Sequence, residues 1–398
     1  MTKLDETNNF RKLDVFEPVL LAIEDKKFIK ATEVQKRAIP LSNNDENLIV
    51  AAPTGTGKTL VFALRAIEVT ISGAGLQSLI LVPTRELAIQ IEKEIKEFAK
   101  YKPLKINSIY GGNKSKNNLN NVLDSEILIA TPTILSELII TEKLILDKIH
   151  LLIFDEMDAL LKIEFFDDIE TIIKVISRKR QTLMFSATIT KEISKFAQKY
   201  MKKTRRVLVN GKKEKKLLKQ ISYIVEKSKK LSLLSYLLEN EKAGLNIIFV
   251  NRQEVGEFIL KNTKKLNLDF KFLDKTLTQT KREKILNDFR LEKFDVLIAT
   301  DVAARGLDID GVTHIYNYNL PSENEKYIHR IGRVARAGKN GTIIDLISET
   351  DQKIYSKLIN ENKLNIQFKE IPSGLKEVKI KHELKKRKFE KNFRKNKK

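Results

Sequence analysis

Three carboxylic acids on one tetrapeptide, Asp155-Glu156-Met157-Asp158, follow directly on the apolar run Leu151-Leu152-Ile153-Phe154. Acids at the end of a buried strand suit metal binding and the positioning of water far better than packing, because unpaired buried charge is costly. Upstream, Ala52-Pro53-Thr54-Gly55-Thr56-Gly57-Lys58-Thr59 has the make-up of a phosphate-binding loop, departing from GxxxxGK[ST] only in having Ala52 at its first glycine. Its glycines let backbone amides turn toward a phosphate, Lys58 supplies charge at the β and γ phosphates, and Thr59 offers a hydroxyl to magnesium. Asp155 would then reach the magnesium directly or through water, and Glu156 would orient and deprotonate the attacking water. A third group, Arg333 and Arg336 in His329-Arg330-Ile331-Gly332-Arg333-Val334-Ala335-Arg336, is spaced to share one helical face and point together at a phosphate. Finger arginines contribute about 10³ to 10⁵ in rate, which is roughly 4 to 7 kcal/mol of barrier. Together these residues predict a nucleoside triphosphatase.

Short apolar runs position these groups. Runs at 48–51, 79–82, 127–130, 151–154 and 183–185 are each followed by a loop and then a helical pattern, and a second series occupies 247–250, 270–273, 296–299, 314–316 and 342–346. Strands buried on both faces and alternating with helices predict parallel sheets, here two α/β sheets in tandem. The polar stretch Asn210-Gly211-Lys212-Lys213-Glu214-Lys215-Lys216 reads as a linker. The expected domains are therefore 1–214, 215–372 and a flexible basic tail over 373–398. Ligands of open parallel sheets bind beyond the carboxyl ends of the strands, where the unusual residues lie. With the arginines on the second domain, hydrolysis should require the cleft to close.

The chain has 398 residues, more than one core usually supports, and 42% hydrophobic content, which favours globular folding over disorder. No apolar run is long enough to span a membrane, and the polar N-terminus does not read as a leader. With no cysteine there is neither disulfide nor thiolate metal site, which fits a cytoplasmic location. The 74 Lys and Arg against 52 Asp and Glu give a net charge of +22, a surface suited to nucleic acid. Residues 373–398 hold 12 Lys or Arg against 3 Glu, with too few apolar residues to fold alone.

Taken in order, the motifs resemble those of DEAD-box ATP-dependent RNA helicases of superfamily 2, from about Phe10 to Leu346. Phe28, Thr32 and Gln35 match the Q motif (about 8–36), and the phosphate loop matches motif I. Pro83-Thr84-Arg85-Glu86-Leu87-Ala88 follows, then Gly111-Gly112, a DEMD form of motif II at 155–158, and Ser186-Ala187-Thr188. In the second half come Ile248-Phe249-Val250, Gln279 with Arg282, the segment Ala299-Thr300-Asp301 through Arg305 to Asp308, and the arginine helix. Any one motif is weak, whereas their ordered coincidence is very specific.

The resemblance implies two RecA-like domains and an RNA-stimulated ATPase that unwinds short duplexes or remodels RNA-protein complexes, in ribosome assembly or RNA turnover. It implies that ATP and Mg2+ are the cofactors, that Phe28 stacks on adenine, and that Gln35 reads the base edge. A mismatched base would leave that buried amide unpaired at a cost of about 1 to 3 kcal/mol, so ATP should be preferred over GTP. Asp308 would meet the ribose, while Ser186 and Thr188 would link the acids to the arginine helix through Asp158 and His329. RNA would lie on Thr84, Arg85, Gly111, Gly112, Thr131 and Pro132 in the first domain, and on Arg282, Thr300 and Arg305 in the second. Such contacts hold a strand without reading its sequence, so no particular RNA is selected. Ribosomal or RNA-degradation partners are implied, no membrane is, and nothing sets an oligomeric state.

Four departures qualify the match. The usual Thr-Pro-Gly-Arg is Thr131-Pro132-Thr133-Ile134, the usual His-Gly is Asp274-Lys275, motif VI carries Val334-Ala335, and Met157 stands where Ala is usual. The first removes a glycine that allows close approach and an arginine that can hold phosphate. An ATP-gated RNA clamp with little unwinding is therefore the alternative reading, and a DNA helicase a third.

Overall fold

In a computed structural model the described residues are 10–53, 55–111, 119–209, 218–241, 244–264, 266, 268–274, 276–301, 303–304, 311–321, 323–334, 341–362 and 366–375. The linker segment 210–216, Thr54, Gly112, Arg305, Asp308, Arg336 and most of the basic tail lie outside them.

The chain contains two seven-stranded sheets, one after the other. The first is built from β1 (Asn47–Ala51), β2 (Ser78–Leu81), β3 (Ile106–Ile109), β4 (Ile127–Ala130), β5 (Leu151–Phe154), β6 (Gln181–Ser186) and β7 (Thr204–Leu208). Its order is β3-β4-β2-β5-β6-β1-β7, and every neighbouring pair runs parallel. The second comprises β8 (Leu218–Ile224), β9 (Leu245–Val250), β10 (Phe270–Leu273), β11 (Val296–Thr300), β12 (Val312–Asn317), β13 (Gly341–Ile347) and β14 (Gln367–Lys369), ordered β10-β11-β9-β12-β13-β8-β14.

Side chains alternate across a strand, and in the first sheet that alternation creates two cores. Leu48, Val50, Ile80 and Ile153 face one cluster, packed beneath helices that include Lys58–Val69 and Arg85–Phe98. Ile49, Leu79, Leu81, Leu152 and Phe154 face the other, which also takes Met157, Leu160 and Met184. Burial on both faces explains why these strands read as continuous apolar runs. In the second sheet Ile248, Val250, Val296, Ile298 and Ile344 share a third cluster. Gly256 lies so close to Phe272 that a Cβ would stand 2.5 Å from the ring, which accounts for a glycine inside helix Gln253–Asn262.

The compact units interleave along the chain. The first gathers the described residues of Met1–Lys219, Ala304–Val312 and Pro321–Thr342, and the second those of Gln220–Ala303, Thr313–Leu320 and Ile343–Lys398. Helix Asn324–Ile331, with His329 and the following Arg333, thus belongs to the first unit. Among the described residues no helix is long and apolar enough to cross a membrane.

Candidate active site and nucleic-acid face

The loop after β1 takes its shape from two glycines. Gly55 and Gly57 have φ of 79° and 84°, a region that costs side-chain-bearing residues. Ala52 has no such φ; its N–H donates to Ser186 O at 3.2 Å and extends the β1–β6 pairing, so the position does not need glycine. Lys58 opens helix Lys58–Val69 and folds its Nζ back onto Ala52 O at 2.6 Å and Pro53 O at 3.0 Å. Burial lowers its pKa, opposed by the negative charge of Asp155, Asp158 and Glu156. Thr59 lies in the first turn of the same helix.

The Q-motif residues grip this loop. Thr32 caps helix Glu33–Asn43 in a reciprocal capping box with Gln35. Gln35 Oε1 accepts from Thr32 N at 2.8 Å, Gln35 Nε2 donates to Gly57 O at 3.1 Å, and Thr32 Oγ1 donates to Thr56 O at 2.8 Å. Thr56 Oγ1 in turn donates to Pro53 O at 2.7 Å. Phe28 remains 46% exposed, its ring 6.4 Å from that of Phe98, so an aromatic face is left open.

The acids sit at the carboxyl end of β5. Asp155 N donates to Leu81 O at 3.0 Å, and its Oδ1 accepts from Glu156 N at 3.0 Å. Burial, reinforced by the charge of Glu156, pushes the Asp155 carboxyl up to about 7 despite Lys58. Glu156 takes a left-handed φ of 51° and caps the short helix Met157–Leu160. Its Oε2 is buried without a hydrogen-bond partner among the described residues, and its Oε1 is 3.9 Å from Arg333 Nη2. Met157 is wholly buried in the second core cluster.

Asp158 is the hub. It accepts from Ser186 Oγ at 3.0 Å on one oxygen, and its other oxygen lies 2.9 Å from His329 Nε2. The second contact is a buried ion pair at hydrogen-bond distance, and neither of its atoms has another partner among the described residues. Burial alone would raise the Asp158 pKa, yet the His329 charge and the bond from Ser186 hold it at about 2. Burial would likewise depress His329, and Asp158 overrides this and raises it. Thr188 N donates to Ser186 Oγ at 3.4 Å, while the Thr188 hydroxyl is buried and unpartnered among the described residues. Arg333 is buried, its Nε donating to His329 O at 3.2 Å. Lys162 Nζ lies 3.6 Å from Glu323 Oε2 at the start of the histidine helix.

A second group occupies the other half of the sheet. Thr84 follows β2 and caps helix Arg85–Phe98, its hydroxyl accepting from Leu87 N at 3.3 Å. Gly111 follows β3, and Thr131 and Pro132 follow β4, with Thr131 N donating to Ile109 O at 3.1 Å. Gly111 lacks a left-handed φ, and a Cβ there would meet nothing within 4 Å. Thr133 and Ser136 both donate to Asp168, at 2.8 and 2.5 Å, which ties helix Pro132–Ile140 to helix Ile163–Val175. Ile134 packs on the second core cluster. The two departures at 133–134 thus serve internal packing. In the second unit, Arg282 Nη2 donates to Ala303 O at 2.5 Å and Thr300 Oγ1 accepts from Ala303 N at 3.4 Å, so both side chains converge on one backbone segment. Asp274 accepts from Thr276 N and Oγ1, each at 2.6 Å, closing a local turn.

The chain matches the DEAD/DEAH box helicase family over residues 32–196 and the helicase conserved C-terminal domain over 229–338. It is 35% identical over 355 residues to ATP-dependent RNA helicase CshA of Listeria monocytogenes, covering 88% of this chain and 68% of that protein. The chain belongs to the DEAD-box family of ATP-dependent RNA helicases. This helicase is also 36% identical to CshA of Streptococcus pneumoniae, spanning 62% of that protein's length and 81% of its own. Among solved structures it is similar to S. cerevisiae Dbp5 bound to RNA and ADP-BeF3, with a TM-score of 0.84 at 25% identity, covering 92% of this chain and 96% of the other. It is similar too to Mss116p bound to single-stranded RNA and AMP-PNP, with a TM-score of 0.80 at 28% identity, over 93% and 79% of the respective chains.

Proposed function

We propose that this helicase couples RNA-stimulated ATP hydrolysis to local unwinding of short RNA duplexes or remodelling of RNA-protein complexes, through the residues grouped above. The observation that carries the reading is Asp158 held between Ser186 and His329, with Glu156 beside Arg333, which joins the acids to the arginine helix. Phe28 offers its open face to adenine and Gln35 its amide to the base edge. Lys58 and the loop amides take the phosphates, and Asp308 takes the ribose. Water attacks the γ phosphorus, the bond to the β–γ bridging oxygen breaks, and ADP and phosphate leave. Glu156 Oε2, buried and without a hydrogen-bond partner among the described residues, is the acceptor that suits the water's proton. Arg333 and Arg336 offset charge on the transferring group.

Magnesium fits the donor set. Such an ion keeps several waters and takes one or two carboxylates plus phosphate oxygens. A carboxyl pushed to about 7 by burial and a neighbouring negative charge gains from a cation at its side. Asp155 and Thr59 would hold that ion, and bound magnesium supplies charge neutralisation at the phosphates. The DEMD form of motif II is read as a packing variant, because Met157 points into the core.

RNA would run over Thr84, Arg85, Gly111, Gly112, Thr131 and Pro132, and over Arg282, Thr300 and Arg305. Gly111 supports this, since among the described residues nothing lies within 4 Å of where its Cβ would stand and the position is open to a strand. We further propose domains at 1–214 and 215–372 with a basic tail at 373–398, a cytoplasmic location, and ribosome assembly or RNA turnover as the setting. The clamp reading draws on Thr133 and Ile134, which are engaged with Asp168 and the core. A short RNA duplex assayed beside ATP turnover separates the two: the helicase reading expects strand release that Glu156→Gln abolishes while ATP binding persists. Turnover without strand release would favour the clamp.

A further inference from the structure

We infer that Tyr110 is a positioning residue for RNA, holding the Arg85 guanidinium ready for a phosphate. The inference rests on the reading of the β2, β3 and β4 ends as the RNA face. Tyr110 follows β3 and Arg85 opens the helix after β2, with β4 lying between those strands. The Arg85 guanidinium lies over the Tyr110 ring, 4.6 Å from its centroid. The ring is itself packed against the first core cluster, so it is a fixed platform and not a free side chain. Among the described residues Arg85 spends little of its donor capacity. Nη1 reaches Gly111 O at a long 3.5 Å, and Nε is buried without a partner among the described residues. An arginine whose orientation comes from a ring face, with its N–H groups left over, is suited to a forked grip on phosphate oxygens, because the stacking uses the π surface and leaves the in-plane donors available. Fixing it in advance also removes side-chain ordering from the cost of binding RNA. Thr84 Oγ1 accepts from Leu87 N in its helix cap and keeps its O–H to donate to a phosphate.

The test uses the full chain with Arg85→Ala, Tyr110→Leu, which keeps apolar bulk but has no π face, Tyr110→Phe, which keeps the ring, and the double variant Arg85→Ala with Tyr110→Leu. Affinity for a single-stranded RNA oligonucleotide is titrated over a range of salt, together with the RNA concentration that half-stimulates ATP turnover and the KM for ATP. Thermal midpoints verify folding. Tyr110→Leu should weaken RNA binding about two- to fivefold, the range for a partly exposed cation–π contact. It should leave the KM for ATP and turnover at saturating RNA unchanged, keep the salt slope of wild type because no charge is lost, and add nothing when Arg85 is already alanine. Tyr110→Phe should match wild type, and Arg85→Ala should reduce the salt slope by about one. If Arg85→Ala weakens RNA binding but Tyr110→Leu does not, or if the two effects add fully, Tyr110 does not act through Arg85 and the inference fails alone. A loss in Tyr110→Phe equal to that in Tyr110→Leu would also overturn it, by assigning the effect to the hydroxyl. If Arg85→Ala leaves RNA binding untouched, the RNA-face reading falls and the inference with it.

Discussion

Placing a methyl group on Gly57 tests how the segment proposed for adenine and the proposed phosphate loop are joined. Two separate costs follow from the geometry of Gly57→Ala. The first is conformational: φ at this position is 84°, and a left-handed backbone costs an alanine about 1 to 2 kcal/mol. The second is local: the new Cβ would stand 2.4 Å from Gln35 Nε2, so the amide must withdraw and give up its bond to Gly57 O. A bond of that kind contributes about 0.5 to 1.5 kcal/mol. The sum is about 1.5 to 3.5 kcal/mol, or roughly a 10- to 400-fold loss of nucleotide affinity if the loop must keep this shape to bind. The two costs separate in a double-mutant cycle. With Gln35→Ala already present there is no amide to displace, so Gly57→Ala should then cost only the conformational part, and the two substitutions should fall short of additivity by about 1 kcal/mol. Fluorescence titration with a labelled ATP analogue on wild type, both single variants and the double variant supplies all four corners. Full additivity would refute the claim that Gln35 and Gly57 act as one unit, whatever the size of the single effects.

Two further outcomes follow from the acids. Asp158, held at about 2 against 3.8, contributes stability that is present above about 4 and lost as pH falls through about 2, whereas His329, raised above 6.5, contributes stability that is present below 6.5 and lost as pH rises through its folded value. The destabilisation caused by His329→Ala should therefore be greatest near pH 5 to 6 and shrink on the alkaline side; a gap in thermal midpoint that stays constant from pH 5 to 9 would contradict an ion pair. Met157→Ala should cost about 2 to 4 kcal/mol of stability by opening a cavity in a closed core, while the ratio of strand release to ATP turnover stays at its wild-type value; a changed ratio would give Met157 a part in coupling.

What the sequence made legible was whatever is local along the chain. The loop at 52–59 and the acids at 155–158 announce themselves because one short segment supplies all their groups, and the central strands do so because burial on both faces removes polar residues from them. The strands that escaped were those for which this does not hold. In β3 the run Ile106-Asn107-Ser108-Ile109 is interrupted by polar residues, and β7 is an edge strand whose Arg205 and Arg206 face solvent. Strand order was hidden for a different reason, since it depends on pairing between distant segments. So were the contacts that depend on it: Gln35 against Gly57, Tyr110 beneath Arg85, and Thr133 with Ser136 on Asp168. The last of these explains a departure at 133–134 that sequence comparison could register only as a loss.

In the strand order β3-β4-β2-β5-β6-β1-β7, the phosphate loop, the acids and Ser186 follow β1, β5 and β6, while the segments assigned to RNA follow β2, β3 and β4. The border falls between β2 and β5, where Asp155 N donates to Leu81 O. The two groups of segments are therefore contiguous along one sheet edge and rest on different strands. Thr133 on Asp168 and Ile134 on the core are accommodated wholly within the half of the sheet proposed for RNA, away from the acids and the loop after β1.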